Sequence, residues 1–151
     1  METLEPLLAA HPFFSGLEPS HLKQLVGCAR NVHFEKEDII FRRGEEANLF
    51  YLIRTGQVAL QLFADRKGPL TLLTLGEGDV LGWSWLSPAA RWKFTARALE
   101  PTQAVSLEGK CLRAKAEADH ELGFQLLKRV VNVIEDRVQA TSLQLLNVYE
   151  R

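Results

Sequence analysis

The chain is short of the residues that would commit it to chemistry. It holds only two cysteines, Cys28 and Cys111, with no C-x-x-C spacing and no histidine pattern beside them. That leaves no thiolate metal site, and the pair reads as two small buried hydrophobes in a reducing cytoplasm rather than as a disulfide. Neither sign of charge is in excess: 18 basic residues face 19 acidic ones, a formal net charge of −1, and the basic ones are scattered. There is thus no electrostatic pull on nucleic acid, and no direct DNA binding is expected. The four histidines, His11, His21, His33 and His120, stand on separate segments with no i, i+4 partner, so no metal site is expected. Ser84 and Ser106 lack a nucleophile elbow, and no Cys–His or paired-carboxylate spacing occurs, so no catalytic residues are assigned and the chain is read as a non-enzyme. The opening METLEPLLAAHPFF carries acids where a leader would carry a basic region, and Pro6 and Pro12 break it. No secretory leader or membrane span is expected, and the chain is placed in the cytoplasm.

What is present is patterned. At 151 residues, 46% hydrophobic and 25% charged, the chain has the size and composition of one globular domain, residues 1–151. Residues 3–10 suit a short helix, and Glu18-Pro19-Ser20 opens a second through Arg30, with Leu22, Leu25, Val26 and Ala29 at helical spacing. From Val32 the period shortens: Val32 and Phe34, Ile39 to Phe41, Phe50 to Ile53, Gly56 to Leu62, Leu70 to Leu75, Phe94 to Leu99 and Thr102 to Leu107 are β-type runs separated by charged or glycine-bearing turns. In Gly56–Leu62 alternation puts Val58, Leu60 and Leu62 on a core face and Gln57, Ala59 and Gln61 on a solvent face. Seven or eight short strands of this kind suit a closed antiparallel roll, which leaves no exposed edges.

Past Glu108-Gly109 the pattern is helical. Lys110 to Ala118 reads as a short helix, and Asp119 as the N-cap of one running to about Tyr149, with no proline and no glycine beyond Gly123. Its apolar positions Phe124, Leu127, Val131, Ile134, Val138, Thr141, Leu145 and Val148 alternate steps of three and four, the seam of a coiled coil. A second stripe, Leu126, Val130 and Val133, fades at Arg137. A parallel homodimer through residues 119–150 is therefore expected, and with nothing after Arg151 no helix-turn-helix is expected. Between strands and helices lies the stretch Gly82 to Arg97, GWSWLSPAARWKFTAR, with three tryptophans and the cations Arg91, Lys93 and Arg97. Gly82 lets backbone approach a ligand, the turn from Ser84 can offer N–H groups, and the tryptophans can stack on a planar ligand or serve as core.

The order of parts resembles the cyclic-nucleotide-binding domain family, over residues 11–150. The resemblance rests on Phe14-Ser15-Gly16-Leu17, Ile39-Ile40-Phe41-Arg42-Arg43-Gly44, Tyr51-Leu52-Ile53-Arg54-Thr55-Gly56-Gln57-Val58 and Gly76-Glu77-Gly78-Asp79-Val80-Leu81-Gly82. It implies a mainly β fold: an eight-stranded antiparallel jelly roll over residues 31–108, a helical lead-in over 1–30, helices over 109–151 and a ligand cassette at 82–97. It also implies a regulatory sensor that binds a cyclic nucleotide such as cyclic AMP or cyclic GMP, or another small anionic or planar ligand, and transmits this through the dimer helix, with no other cofactor and an unidentified downstream protein as partner. The ligand-facing positions carried over are Gly82, Trp83, Ser84, Trp85, Arg91, Trp92 and Lys93. To these the segment Arg137–Ser142 adds Thr141 and Ser142, which match a hydroxyl pair that meets the purine in the catabolite activator protein. Two departures stand out. Trp83 occupies the position of the family's ribose-binding glutamate, and Trp92 that of its phosphate-binding arginine, with Arg91 one residue earlier. On a strand, Arg91 and Trp92 point to opposite faces, so only one enters the pocket. The alternative to a sensor is an interaction module whose cassette has lost its ligand.

Overall fold

The computed structural model describes residues 4–64, 66–87 and 89–150; Thr3 of the first expected helix and Pro88 of the cassette lie outside them. The lead-in comprises α1 (Glu5–Ala10), a 3₁₀ turn at Pro12–Phe14 and α2 (Pro19–Val26). Eight strands follow: β1 (Ala29–Phe34), β2 (Ile39–Phe41), β3 (Leu49–Thr55), β4 (Val58–Ala64), β5 (Gly68–Leu75), β6 (Val80–Leu81), β7 (Thr95–Ala98) and β8 (Thr102–Glu108). They form two antiparallel four-stranded sheets, ordered β1-β8-β3-β6 and β2-β7-β4-β5, which together make the jelly roll. The chain ends in α3 (Gly109–Ala118) and α4 (His120–Tyr149). No helix among the described residues is long and apolar enough to cross a membrane.

The continuous apolar run of β3 has a plain cause, since this strand is buried on both faces. Phe50 and Leu52 enter a core shared with Leu8, Phe14, Leu25, Leu107, Leu112, Leu122, Leu126 and Val130, which ties the sheet to the flanking helices. Tyr51 and Ile53 face the other way, into the roll, with Phe41, Val58, Leu60, Leu75, Leu81, Trp92 and Ala96. Each such large side chain removed from water contributes about 1.5–3 kcal/mol before conformational entropy is counted. His11 ties the lead-in to this strand. Its Nε2–H donates to the Ile53 carbonyl at 3.1 Å, and its Nδ1 accepts from the Phe13 N–H at 3.1 Å.

Three expectations are corrected. The second helix stops at Val26 instead of Arg30, because Ala29 to Phe34 pair in continuous register with Leu107 back to Thr102, and the ladder outweighs local helical spacing. In β4, Ala59 and Gln61 are buried and not on a solvent face, while Leu62 is half-buried. Residues 58–61 of β4 are buried on both faces, and the pairing with β5 shifts between Leu60 and Gln61, leaving Leu72 of β5 without an opposite residue. The two cysteines are joined in a disulfide, Cα to Cα 5.6 Å, fastening the segment between α2 and β1 to α3. Their separation of 83 residues hid the pairing, and the bond removes the ground on which a reducing compartment was read. The long helix begins where expected: the Asp119 carboxylate accepts from the Leu122 N–H at 3.2 Å.

Candidate functional site

The cassette is built on the turn that leaves β6. Gly82 has φ +85° and ψ +51°, a left-handed conformation that L side chains rarely adopt. A Cβ there would lie 2.6 Å from Cζ3 of Trp92. Gly82 therefore does admit a planar group against the backbone, and the group is the chain's own indole. Residues Trp83–Leu86 follow as a 3₁₀ turn.

The orientation of Arg91 and Trp92 is set by a short antiparallel ladder with the segment before β3. The Ala47 N–H donates to Ala90 O at 3.0 Å, the Trp92 N–H to Glu45 O at 2.9 Å, and the Gly44 N–H to Trp92 O at 2.9 Å. Extended backbone sends neighbouring side chains to opposite faces, so Arg91 points outward, where its Nη1 donates to Gly44 O at 2.8 Å. Trp92 points in. It is 5% exposed and stacks on Phe41 with ring centroids 3.8 Å apart and planes 11° apart. The space left in the roll beside the cassette is about 60 Å³, bounded by Phe41, Leu60, Leu81, Gly82, Trp83, Ser84, Trp92, Lys93, Phe94 and Arg137. Burial pushes the Tyr51 phenol up to about 12, so this aromatic interior contains no phenolate at neutral pH.

Over the mouth lies a residue that was not assigned to the site. Arg137 of α4 places its guanidinium 4.7 Å from the centroid of Trp83 and donates through Nη2 to the Val80 carbonyl. Burial pushes the guanidinium down to about 10, against an upward pull from Asp79, so it stays cationic at neutral pH. Arg137 thus couples the cassette to the long helix by a cation–π contact and a charge-assisted hydrogen bond. A signal existed in the sequence: the apolar stripe Leu126, Val130, Val133 ends on this cation.

Of the residues assigned from the sequence, Gly82, Trp83, Ser84, Trp92 and Lys93 are brought together around the cavity. Four are not. Trp85 is 1% exposed and packs on Phe50 in the helical core, with its carbonyl accepting from Arg113 Nη1 at 2.7 Å, because the 3₁₀ turn rotates it away from Trp83. Arg91 is outside, as described. Thr141 and Ser142 are exposed on α4, and the Ser142 hydroxyl donates to Val138 O of its own helix at 2.9 Å. A second hollow, an open groove of about 750 Å³, runs outside the roll between α4, the Pro12–Gly16 lead-in and Leu73–Val80. Its charges are mixed: Lys128, Arg129 and Arg137 against Asp79 and Asp136.

Comparison with known proteins agrees with this architecture. The family model described as Cyclic nucleotide-binding domain matches residues 31–119. Among curated proteins, a CRP-like cAMP-activated global transcriptional regulator of Mycobacterium tuberculosis is 27% identical over 143 residues, covering 94% of this chain and 62% of that one. A protein of Rhodopseudomonas palustris, provisionally described as a potassium channel, is 25% identical over 131 residues, covering 87% and 30%. The chain thus spans less than two thirds of each of these relatives. Among solved structures, a protein of Geobacter metallireducens, provisionally described as cyclic-nucleotide-binding, is 26% identical with a TM-score of 0.78, covering 91% of this chain and 99% of that one. The catabolite activator protein of Thermus thermophilus, at 21% identity and a TM-score of 0.71 over 91% of this chain and 63% of that one, shares the fold.

Proposed function

This chain belongs to the cyclic nucleotide-binding domain family, and we propose that within it the chain is a regulatory interaction module whose cassette is closed by its own Trp92. Its output is a homodimer formed through α4 and offered to a downstream protein. The observation that carries the reading is the Trp92 indole stacked on Phe41 against Gly82, which leaves about 60 Å³ beside the cassette residues Gly82–Ser84. Pockets for ligands of nucleotide size run to about 300–1,000 Å³. The electrostatics point the same way. Tryptophans stand at both positions where the family resemblance places charged readers, and Arg91 is turned outward onto Gly44. Each charge-assisted contact to a ligand is worth about 1.5–3 kcal/mol, so losing two weakens binding by about 10²–10⁴-fold.

The dimer reading rests on the seam. Phe124, Leu127, Val131, Val138, Leu145 and Val148 are all exposed on α4, while Leu122, Leu126 and Val130 on another face are buried in the domain. A helix with one apolar face covered by its own domain and another bare suits a second helix of the same kind.

A ligand-sensing reading is the second. What favours it is that Lys93 and Arg137 flank the cavity and, among the described residues, no carboxylate lines it, so an anion entering there would meet positive charge. Titration calorimetry with cyclic AMP and cyclic GMP separates the two. The closed-cassette reading expects no heat and no thermal shift up to about 1 mM nucleotide. Saturable binding of either nucleotide at micromolar concentration would overturn it in favour of the sensor.

A further inference from the structure

Away from the cassette, the first turns of α2 and α4 meet. One carboxylate oxygen each from Glu18 and Glu121 and one ring nitrogen of His21 lie within 4.8 Å of one another. We propose that these three side chains hold a divalent transition-metal ion of the zinc type, which pins the start of α4 to the helical lead-in.

The second observation is His21 itself. Its side chain is 6% exposed, and its Nδ1 is buried with no hydrogen-bond partner. A buried imidazole nitrogen with nothing to bind is costly in a folded protein and calls for a ligand. The other nitrogen, Nε2, faces the Asp119 carboxylate at 3.6 Å. That carboxylate is itself held, by Gln24 Nε2–H at 3.0 Å and by the Leu122 N–H at 3.2 Å. An anchored carboxylate close to one nitrogen of a buried imidazole restricts the ring's orientation, as outer-shell groups do for histidine ligands. Glu18 and Glu121 are exposed, and among the described residues neither is ion-paired, so both carboxylates are available. Glu18 is the N-cap of α2 and His21 lies in its first turn, so both stand at the same end of that helix. The donor set of one imidazole and two carboxylates selects a transition ion over magnesium or calcium. Both cysteines are closed in the disulfide, so no thiolate competes for the ion.

The test uses untagged, metal-stripped protein and zinc chloride, read by equilibrium dialysis with elemental analysis and by thermal unfolding. The expected result is one zinc per chain at about 10 μM free zinc, with a raised unfolding midpoint. A Glu18→Gln/Glu121→Gln variant, altered only at exposed positions, keeps the metal-free midpoint of the parent and binds zinc at least about 100-fold more weakly. This double variant decides the question even if replacing the buried His21 unfolds the chain. Absence of stoichiometric zinc in the parent overturns the proposal, and so does undiminished binding in the double variant, which would place the ion elsewhere.

Discussion

At the scale of single residues the decisive fact is a parity. Arg91 and Trp92 are adjacent, one is charged and one aromatic, and three backbone hydrogen bonds to residues 44–47 decide which enters the roll. Nothing local in the sequence chooses between them, because either order alternates. Trp92 enters because the register of that ladder and the absent Cβ at Gly82 leave room for an indole there. His11 shows a second single-residue control, on stability. Both its nitrogens are used in the neutral form, and burial holds its pKa below the ordinary 6.5, outweighing the upward pull of the Ile53 and Asp79 carbonyls and the Asp79 charge. With the folded pKa below the unfolded one, the unfolded chain takes up a proton the folded chain refuses, so stability is lost as the pH falls below about 6.5. Urea midpoints measured at about pH 7.5 and about pH 5.5 should fall for the parent and fall by less for His11→Gln. An equal fall in both would remove His11 as the cause.

At the scale of elements, the disulfide and the long helix behave differently with respect to the sequence. The extent of α4 was legible because a cap, a seam and an absence of breakers are all local, and Asp119 caps as its position indicates. The Cys28–Cys111 bond was not legible, because a pairing across 83 residues exists only once α3 has docked beside the segment entering β1. In the chain-entropy account, a closed loop of that length is worth about 4.5 kcal/mol. Reduction, or a Cys28→Ser/Cys111→Ser variant, should therefore lower unfolding stability by about that amount in denaturant titration. A reduced protein with an unchanged midpoint would mean that the bond closes no loop the unfolded chain would otherwise open. The proposed metal set has the same origin as the bond. Glu18 and His21 lie some hundred positions from Glu121, and a search for histidine spacing within one helix passes over it.

At the scale of the whole molecule, two apolar faces of α4 have different fates. One face carries Leu122, Leu126 and Val130 into the helical core, and further along the helix Arg137 lies over Trp83. The other, with Phe124, Leu127, Val131, Val138, Leu145 and Val148, faces outward, but Ile134, expected in the same seam, packs against the helical core instead. If the second face is a dimer seam, two glutamates in each helix place buried like charges across it, at a cost of several kcal/mol. A Val131→Glu/Val138→Glu variant should then sediment at the 17.0 kDa of one chain and the parent at twice that mass, at the same concentration. A variant that keeps the parent's mass would show that the seam is not what joins the copies. If copies join through this helix, Arg137 over Trp83 is the contact by which assembly would reach the cassette.

The sequence by itself determined the strand series, the cap and extent of α4 and the family, since each is written in spacing or in turn residues that act over a few positions. Tertiary structure alone decided which side chain fills the cassette, which cysteines bond, and which carboxylates gather around His21. Those outcomes depend on docking between segments far apart in the chain, which the spacing of residues within one segment does not fix.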